Sequence, residues 1–377
     1  MSNDLALVMS GGGARAAYQV GFLKFVAECY PDLEVQIITG VSAGAINAAH
    51  IANHDGPFSK KIDDLVTLWS QLRPEQVFEV AAVPTFLNVV RWGARLMLGS
   101  ASRHLRTRSL LDPSPLEAFI RRALGTEDGS LPGVRRNLDA GRLKALAVIA
   151  SCYSTGESVT WVQGDSVSEW ARDARVGYRA ELTLAHIMAS ASLPFFFPAV
   201  RVGDNWYGDG GMRMTAPLSP AVRLGATRIL AISTRHDEEG RTPEHQRADY
   251  PPPAQLAGAL FNSIFLDGFD ADALRIKRIN SLIEELPPAR RQQLSVVHVA
   301  MVRPSLNLGT LANEYEPQMP PAFRFMERGL GTRETGSNDM LSLLMFQSDY
   351  LSRLIEIGYE DAYANRDEIC KVIEFVH

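Results

Sequence analysis

The chain has 377 residues, 46% of them hydrophobic and 21% charged, with a formal net charge of -5 at pH 7. That composition is ordinary for a globular protein with ample burial capacity and excludes a disordered or collagen-like chain. The acidic balance removes the overall basic field of a dedicated nucleic-acid binder, so no nucleic-acid partner is expected.

The segment "DLALVM" (4–9) is a short apolar run stopped by Gly11, Gly12 and Gly13, and "ARAAYQVGFLKFVAE" after it carries apolar residues at helical spacing. Pro31 ends that helix, the β-branched "VQIIT" (35–39) reads as a second strand, and "AGAINAAHIA" is small and helix-forming. Alternation of this kind predicts an α/β fold: a mainly parallel sheet covered by helices on both faces, with functional groups at the carboxyl ends of strands. Residues 57–142 read as helical and irregular, with "KKIDDLVTLWSQL" and "SPLEAFIRRALG" as amphipathic helices. "LKALAVIASCY" and "ESVTWVQG" predict a hairpin, and "TLAHIMASAS" a helix begun by Thr183. "AVRVGDNWYGDGG" predicts a second hairpin turning at residues 203–205. "TRILAIST" and "SVVHVAMV" read as later buried strands, and two long helical stretches, about 254–286 and 338–376, close the chain. Residues 238–255 are the most loop-like, an excursion rather than a boundary because strands continue beyond them.

Cys29, Cys152 and Cys370 lie far apart, with no C-x-x-C pair and no metal-ligand spacing. That implies a reducing, cytoplasmic setting, no disulfide framework and no metal. The N-terminus lacks a signal-peptide core, and the longest apolar candidate for a span is interrupted by Arg91 and Arg95.

Three glycine clusters carry the chemistry. Gly40-Val41-Ser42-Ala43-Gly44 matches G-x-S-x-G, in which glycines on either side give room for a sharp strand-to-helix turn that pushes the serine into the open. The bland alternative for Ser42 is a helix N-cap in a glycine-rich turn. Gly11, Gly12 and Gly13 expose backbone N–H groups suited to an oxyanion, each such donor being worth roughly 3 kcal/mol of barrier. They also fit a dinucleotide loop, but that reading asks for an acidic residue ending the next strand, and "TGVSAG" stands there instead. Asp209 is flanked by Gly208, Gly210 and Gly211, which let its carboxylate approach another loop and leave N–H groups to orient it; the bland alternative is a turn aspartate. A histidine base would have to come from His236, His245 or His298, none in a distinctive setting, while His50, His54 and His186 read as structural or surface residues.

In this order "SGGGARAAYQVG", "GVSAG", "ASASLPFFFPAV" and "DGG" resemble the patatin-like phospholipase family. The resemblance implies a three-layer patatin-like fold and a Ser-Asp dyad without histidine. It implies that Ser42 attacks an ester carbonyl, Asp209 acts as general base and the loop Gly11 to Gly13 stabilises the oxyanion. Arg15, Gly40, Gly44, Gly210 and Gly211 are then supporting residues, and residues 189–198 line the acyl site. No cofactor is implied. Where the family has glycine after the arginine this chain has Ala16, a mild change if φ there is helical. The similarity covers roughly residues 4–235 and fades afterwards, although "LIEIGYEDA" looks like the family's terminal helix, so 1–235 reads as catalytic core and 236–377 as its continuation.

The expected substrate is a lipid or another acyl ester. In residues 84–108, Phe86, Val89, Val90, Gly93 and Met97 share a helical face while Arg91, Arg95, Arg103, Arg106 and Arg108 add positive charge, a pattern for peripheral contact with anionic lipid or for a core-packed helix with solvated arginines. Two other functions stay open: an esterase or thioesterase on soluble acyl groups, and a non-catalytic nucleotide- or protein-binding module that kept the fold.

Overall fold

The computed structural model describes residues 4–78, 112–165, 168–194, 196–236, 268–291, 294–318 and 339–375. The proposed lipid-contact segment 84–108 and His245 lie outside the described residues. The strands are β1 (Asp4–Met9), β2 (Ile37–Val41), β3 (Ala145–Cys152), β4 (Ser158–Gly164), β5 (Trp170–Arg172), β6 (Arg175–Arg179), β7 (Val200–Val202), β8 (Asn205–Asp209), β9 (Ala226–Ile232) and β10 (His298–Val302). They form one sheet in the order β10-β9-β1-β2-β3-β4-β6-β5, with β8 pairing β3 and β7 pairing β8. From β10 to β3 all pairings are parallel. These strands are buried on both faces, which is why β1, β2 and β3 read as continuous apolar runs rather than alternating ones. The hairpins β3–β4 and β7–β8 supply antiparallel pairs.

The α-helices of five or more residues are α1 (Ala16–Cys29), α2 (Ala43–Asn53), α3 (Phe58–Ser70), α4 (Ser114–Leu124), α5 (Pro132–Asp139), α6 (Leu184–Ala191), α7 (Ser219–Arg223), α8 (Gly268–Glu285), α9 (Leu308–Tyr315), α10 (Asp339–Leu344), α11 (Ser348–Ala364) and α12 (Arg366–Ile373). Successive strand residues point to opposite faces, and two cores follow. Leu5, Leu7, Leu146 and Val148 pack with α1, α2 and α11 on one face, and Ala6, Val8, Ala145 and Ala147 pack with Leu218, Ala221 and Phe269 on the other. The result is three layers. A buried polar chain ties the first face together: Trp69 Nε1 donates to Asn47 Oδ1, and Asn47 Nδ2 donates to Gln19 Oε1.

Past residue 235, β10 adds to the sheet edge beside β9 and α11 packs along α1. The single long helix expected over 338–376 is three helices. Gln347 is extended, with φ -92° and ψ 136°, and Asn365 turns the chain again with its side-chain amide on Asp361 O. No glycine or proline marks these breaks. Met345 and Phe346, in the turn between α10 and α11, are buried, and Phe346 packs edge-on against Phe78, so burial of these two side chains accompanies the break. The sheet also extends through β5 and β6, which the sequence reading left unassigned. Among the described residues no helix is long and apolar enough to cross a membrane.

Candidate active site

Ser42 follows the last residue of β2, and Asp209 is the last residue of β8. Strand β3 brings them together. β2 pairs parallel with β3 as far as Val41 opposite Ile149, and β8 pairs antiparallel with the next stretch, Asp209 opposite Ala150. Two strands running toward each other along one edge of β3 therefore meet tip to tip. Ser42 Oγ donates to Asp209 Oδ2 at 2.5 Å.

The elbow at Ser42 is strained: φ is 55° and ψ -129°, a conformation that costs about 1–3 kcal/mol for a non-glycine residue. Its surroundings hold it there. The Ser42 N–H donates to Ser190 Oγ at 2.9 Å, and Ser190 Oγ donates in turn to Ile149 O at 2.6 Å, so α6 pins the elbow to β3. The flanking glycines are there for space: a Cβ on Gly40 would lie 2.4 Å from Gly44 O, and one on Gly44 2.3 Å from Ser10 O. Ser190 and Ser192 belong to the block read only as acyl-site lining; here Ser192 O accepts the Asp209 N–H at 3.0 Å, and both serines set the backbone of the pair.

Asp209 is fully buried. Its Oδ1 accepts the Gly211 N–H at 2.8 Å, so both carboxylate oxygens have a donor. Burial pushes its pKa up to about 6, and the hydrogen bonds from Ser42 and Gly211 pull the other way. Gly210 fits because a Cβ there would meet Ile149 O at 2.2 Å.

The loop Gly11 to Gly13 lies alongside: a Cβ on Gly11 would sit 3.8 Å from Ser42 Oγ. With φ of 148° at Gly12 and 53° at Gly13 the loop uses conformations that favour glycine. None of the three amides donates to another described residue. Thr234 Oγ1 donates to Gly11 O at 2.7 Å and the Arg15 N–H to Gly12 O at 3.0 Å, so the loop is fixed through its carbonyls while its N–H groups stay open. Arg15, expected beside the site, acts one step removed. Its buried guanidinium donates to Ser342 Oγ at 2.8 Å and to Asp339 Oδ1 at 2.6 Å, tying α10 to the loop. Ala16 is helical, φ -65°, as its substitution for glycine requires.

The loop, Ser42 and Asp209 open into a recess of about 670 Å³, partly open to solvent, whose walls are Ile46, Trp69, Phe119, Leu193, Phe197, Leu344 and Phe346 among others. Residues near the C-terminus thus shape a site whose polar groups come from positions 11–42 and 209. No described histidine contacts the pair. His50 Nδ1 lies against Ala123 O, His54 against Asp64, His236 against Pro304 O, and His298 stacks on Phe375. Burial lowers His186 to about 4.

A mainly parallel sheet with a serine elbow at the carboxyl end of a central strand puts the chain among α/β hydrolytic proteins. Its sequence matches the patatin-like phospholipase family over residues 7–222, more than half of the chain, and the chain belongs to that family. Members are serine hydrolases acting on lipid ester substrates. Similar solved structures include VipD from Legionella pneumophila, at 14% identity and TM-score 0.43 over 97% of this chain and 67% of VipD. Another is human GIVD cytosolic phospholipase A2, at 12% identity and TM-score 0.47 over 99% of this chain; the chain spans 60% of the length of that enzyme. No curated protein sequence gave a significant match.

Proposed function

We propose that this protein is a lipid acyl hydrolase of the phospholipase A or lysophospholipase type, working through an acyl-enzyme on Ser42 with Asp209 as general base. The observation that carries this reading is the 2.5 Å contact from Ser42 Oγ to a fully buried carboxylate at the mouth of an apolar recess. Asp209 takes the Ser42 proton as Oγ bonds to the ester carbonyl carbon, and the oxyanion forms against the open amides of Gly11 to Gly13. Collapse breaks the bond to the alcohol, which leaves with the proton held by Asp209. Water then attacks the acyl carbon and gives a proton to Asp209, the bond to Oγ breaks, and Ser42 recovers the proton as the fatty acid departs. A carboxylate is a weaker base than imidazole; burial narrows that gap.

The walls of the recess select the acyl chain. Each methylene buried there adds about 0.8 kcal/mol, or roughly fourfold in kcat/KM, until the recess is full. We read residues 1–235 as the catalytic core and 236–377 as its continuation, a division supported by β10 on the sheet edge and by α10 at the recess.

The test is exposure to a fluorophosphonate followed by intact mass measurement, beside hydrolysis of an acyl-ester series of increasing chain length. The wild type should gain one adduct and Ser42→Ala none, with kcat/KM climbing with chain length. A wild type that takes no adduct makes the fold a binding module. An adduct with a flat or falling chain-length profile makes it an esterase for soluble acyl groups.

A further inference from the structure

The other face of the sheet carries a concentration of charge that catalysis does not use. Arg172 of β5 stands directly opposite Arg175 of β6, and Arg175 stands opposite Ser158 of β4, so two guanidiniums and a hydroxyl lie in one row across three strands. Like charges directly opposite in an antiparallel pair are destabilising. Arg223 of α7 adds a third positive group, stacked 5.5 Å from the centre of the Trp170 ring. Burial and then the two neighbouring arginines lower its pKa.

Several arginines elsewhere on the surface are paired: Arg121 with Glu117, Arg136 with Asp55, Arg353 with Glu356. Among the described residues no carboxylate pairs with Arg172, Arg175 or Arg223. Asp173 and Glu169, the nearest acids along the chain to Arg172 and Arg175, do not supply one; Glu169 Oε1 accepts the Arg179 N–H instead. All three arginines line a recess of about 450 Å³ of empty space, partly open to solvent. Ser158 and Thr160 line it too; each residue is more than nine-tenths buried, and neither hydroxyl has a hydrogen-bond partner among the described residues. Strand alternation sets Thr160 one row beyond Ser158 on the same face, opposite Gly177, over which Trp170 lies.

We propose that this recess is an anion site that takes the phosphate group of a ligand between Arg172, Arg175 and Arg223. Guanidinium forks match phosphate oxygens bidentately, and the two hydroxyls add donors at the floor. A dianion there turns a mutual repulsion into three attractions, so the fold carries the unfavourable pair for what it recognises. The phosphate could belong to a lipid headgroup or to a soluble phosphate ester, and the chemistry of recognition is the same. The site stands apart from the reading of Ser42 and Asp209, and its test uses no hydrolysis.

Thermal unfolding of the full chain is measured in inorganic phosphate and in sodium chloride of matched ionic strength, for the wild type, an Arg172→Ala/Arg223→Ala double variant and Thr160→Val. Flotation is followed on phosphatidylcholine vesicles with and without phosphatidic acid. Phosphate should raise the wild-type midpoint in a saturable way beyond the chloride control, less in Thr160→Val and not at all in the double variant. Flotation on phosphatidic acid vesicles that the double variant loses assigns a lipid headgroup; flotation that the variants leave unchanged, with the phosphate response intact in the wild type, assigns a soluble ester. Phosphate acting only as chloride does, together with variant-independent flotation, overturns the site. A phosphate response kept by the double variant overturns it as well.

Discussion

On one side of β3 a carboxylate is fully buried with a donor on each oxygen, while on the other side three guanidiniums line a recess partly open to solvent, with no carboxylate partner among the described residues. One residue of β3 touches both regions: Ile149 offers its carbonyl to Ser190 behind the elbow and lines the arginine recess. Their difference follows from dielectric. A charge removed from water must have its partners in place before any ligand arrives, so the Ser42 hydroxyl and the Gly211 N–H already cover both Asp209 oxygens while Ser192 O holds its backbone N–H. An exposed charge cluster is screened and tolerated unpaired, and can wait for its counter-charge to come from outside.

The sharpest break of this contrast is Asp209→Asn. Removing the base should lower kcat/KM roughly 10²–10⁴-fold. The same change should stabilise the fold at pH 8. The native carboxyl titrates near 6 against an ordinary 3.8, so the folded state holds its proton more tightly than the unfolded chain. Ionisation therefore costs the wild type on the order of 3 kcal/mol above pH 6, and the cost fades as pH falls toward 4, where both states are protonated. Asparagine never ionises, so its advantage in unfolding midpoint should be largest at pH 8 and vanish by about pH 4. In the wild type, kcat/KM should drop about tenfold per pH unit below roughly 6 and level off above it. A profile with no inflection near 6 separates the base from Asp209.

Smaller effects come from groups that only hold the site. Asp339→Ala leaves the buried Arg15 guanidinium without its carboxylate; since Asp339 is itself 22% exposed, the loss should be roughly 2–4 kcal/mol rather than the full cost of a buried pair. As α10 loosens, KM for long acyl esters should rise more than for short ones, because Leu343 and Leu344 line the recess wall. Ser190→Ala leaves the Ser42 N–H and Ile149 O unpaired, costing about 1–3 kcal/mol of stability, and should lower kcat about tenfold with little change in KM. A Ser190 variant with unchanged kcat would mean that the strained elbow holds itself.

What was legible in the chain was local. β1, the glycine loop, α1, β2 and the elbow follow from apolar runs that end in glycine, and Asp209 stands out by its glycine neighbours. Ser190, Thr234, Asp339 and Ser342 have no such mark, since their roles exist only across 148 to 327 positions of chain. The break of the last long helix has no mark in the sequence, because neither glycine nor proline makes it; it goes with the burial of Met345 and Phe346. β5 and β6 were unread for a related reason: at a sheet edge, short strands carry arginines and tyrosine outward, and "WARDARVGYR" shows none of the continuous apolar character of the central strands.

Those edge strands supply the smallest predicted effect. Arg172→Ala removes one member of the opposed pair, so in low salt without phosphate the variant should unfold at a slightly higher temperature than the wild type. The gain should shrink as sodium chloride rises to about 0.5 M, because screening relieves the same repulsion in the wild type. Arg172→Glu should behave differently, placing a carboxylate opposite Arg175 and stabilising the protein further at low salt. If both variants instead unfold earlier than the wild type at every salt concentration, packing of the arginine stems against Trp170 and the strand surface outweighs their mutual repulsion. The contrast between the two faces of the sheet would then be one of shape rather than of charge.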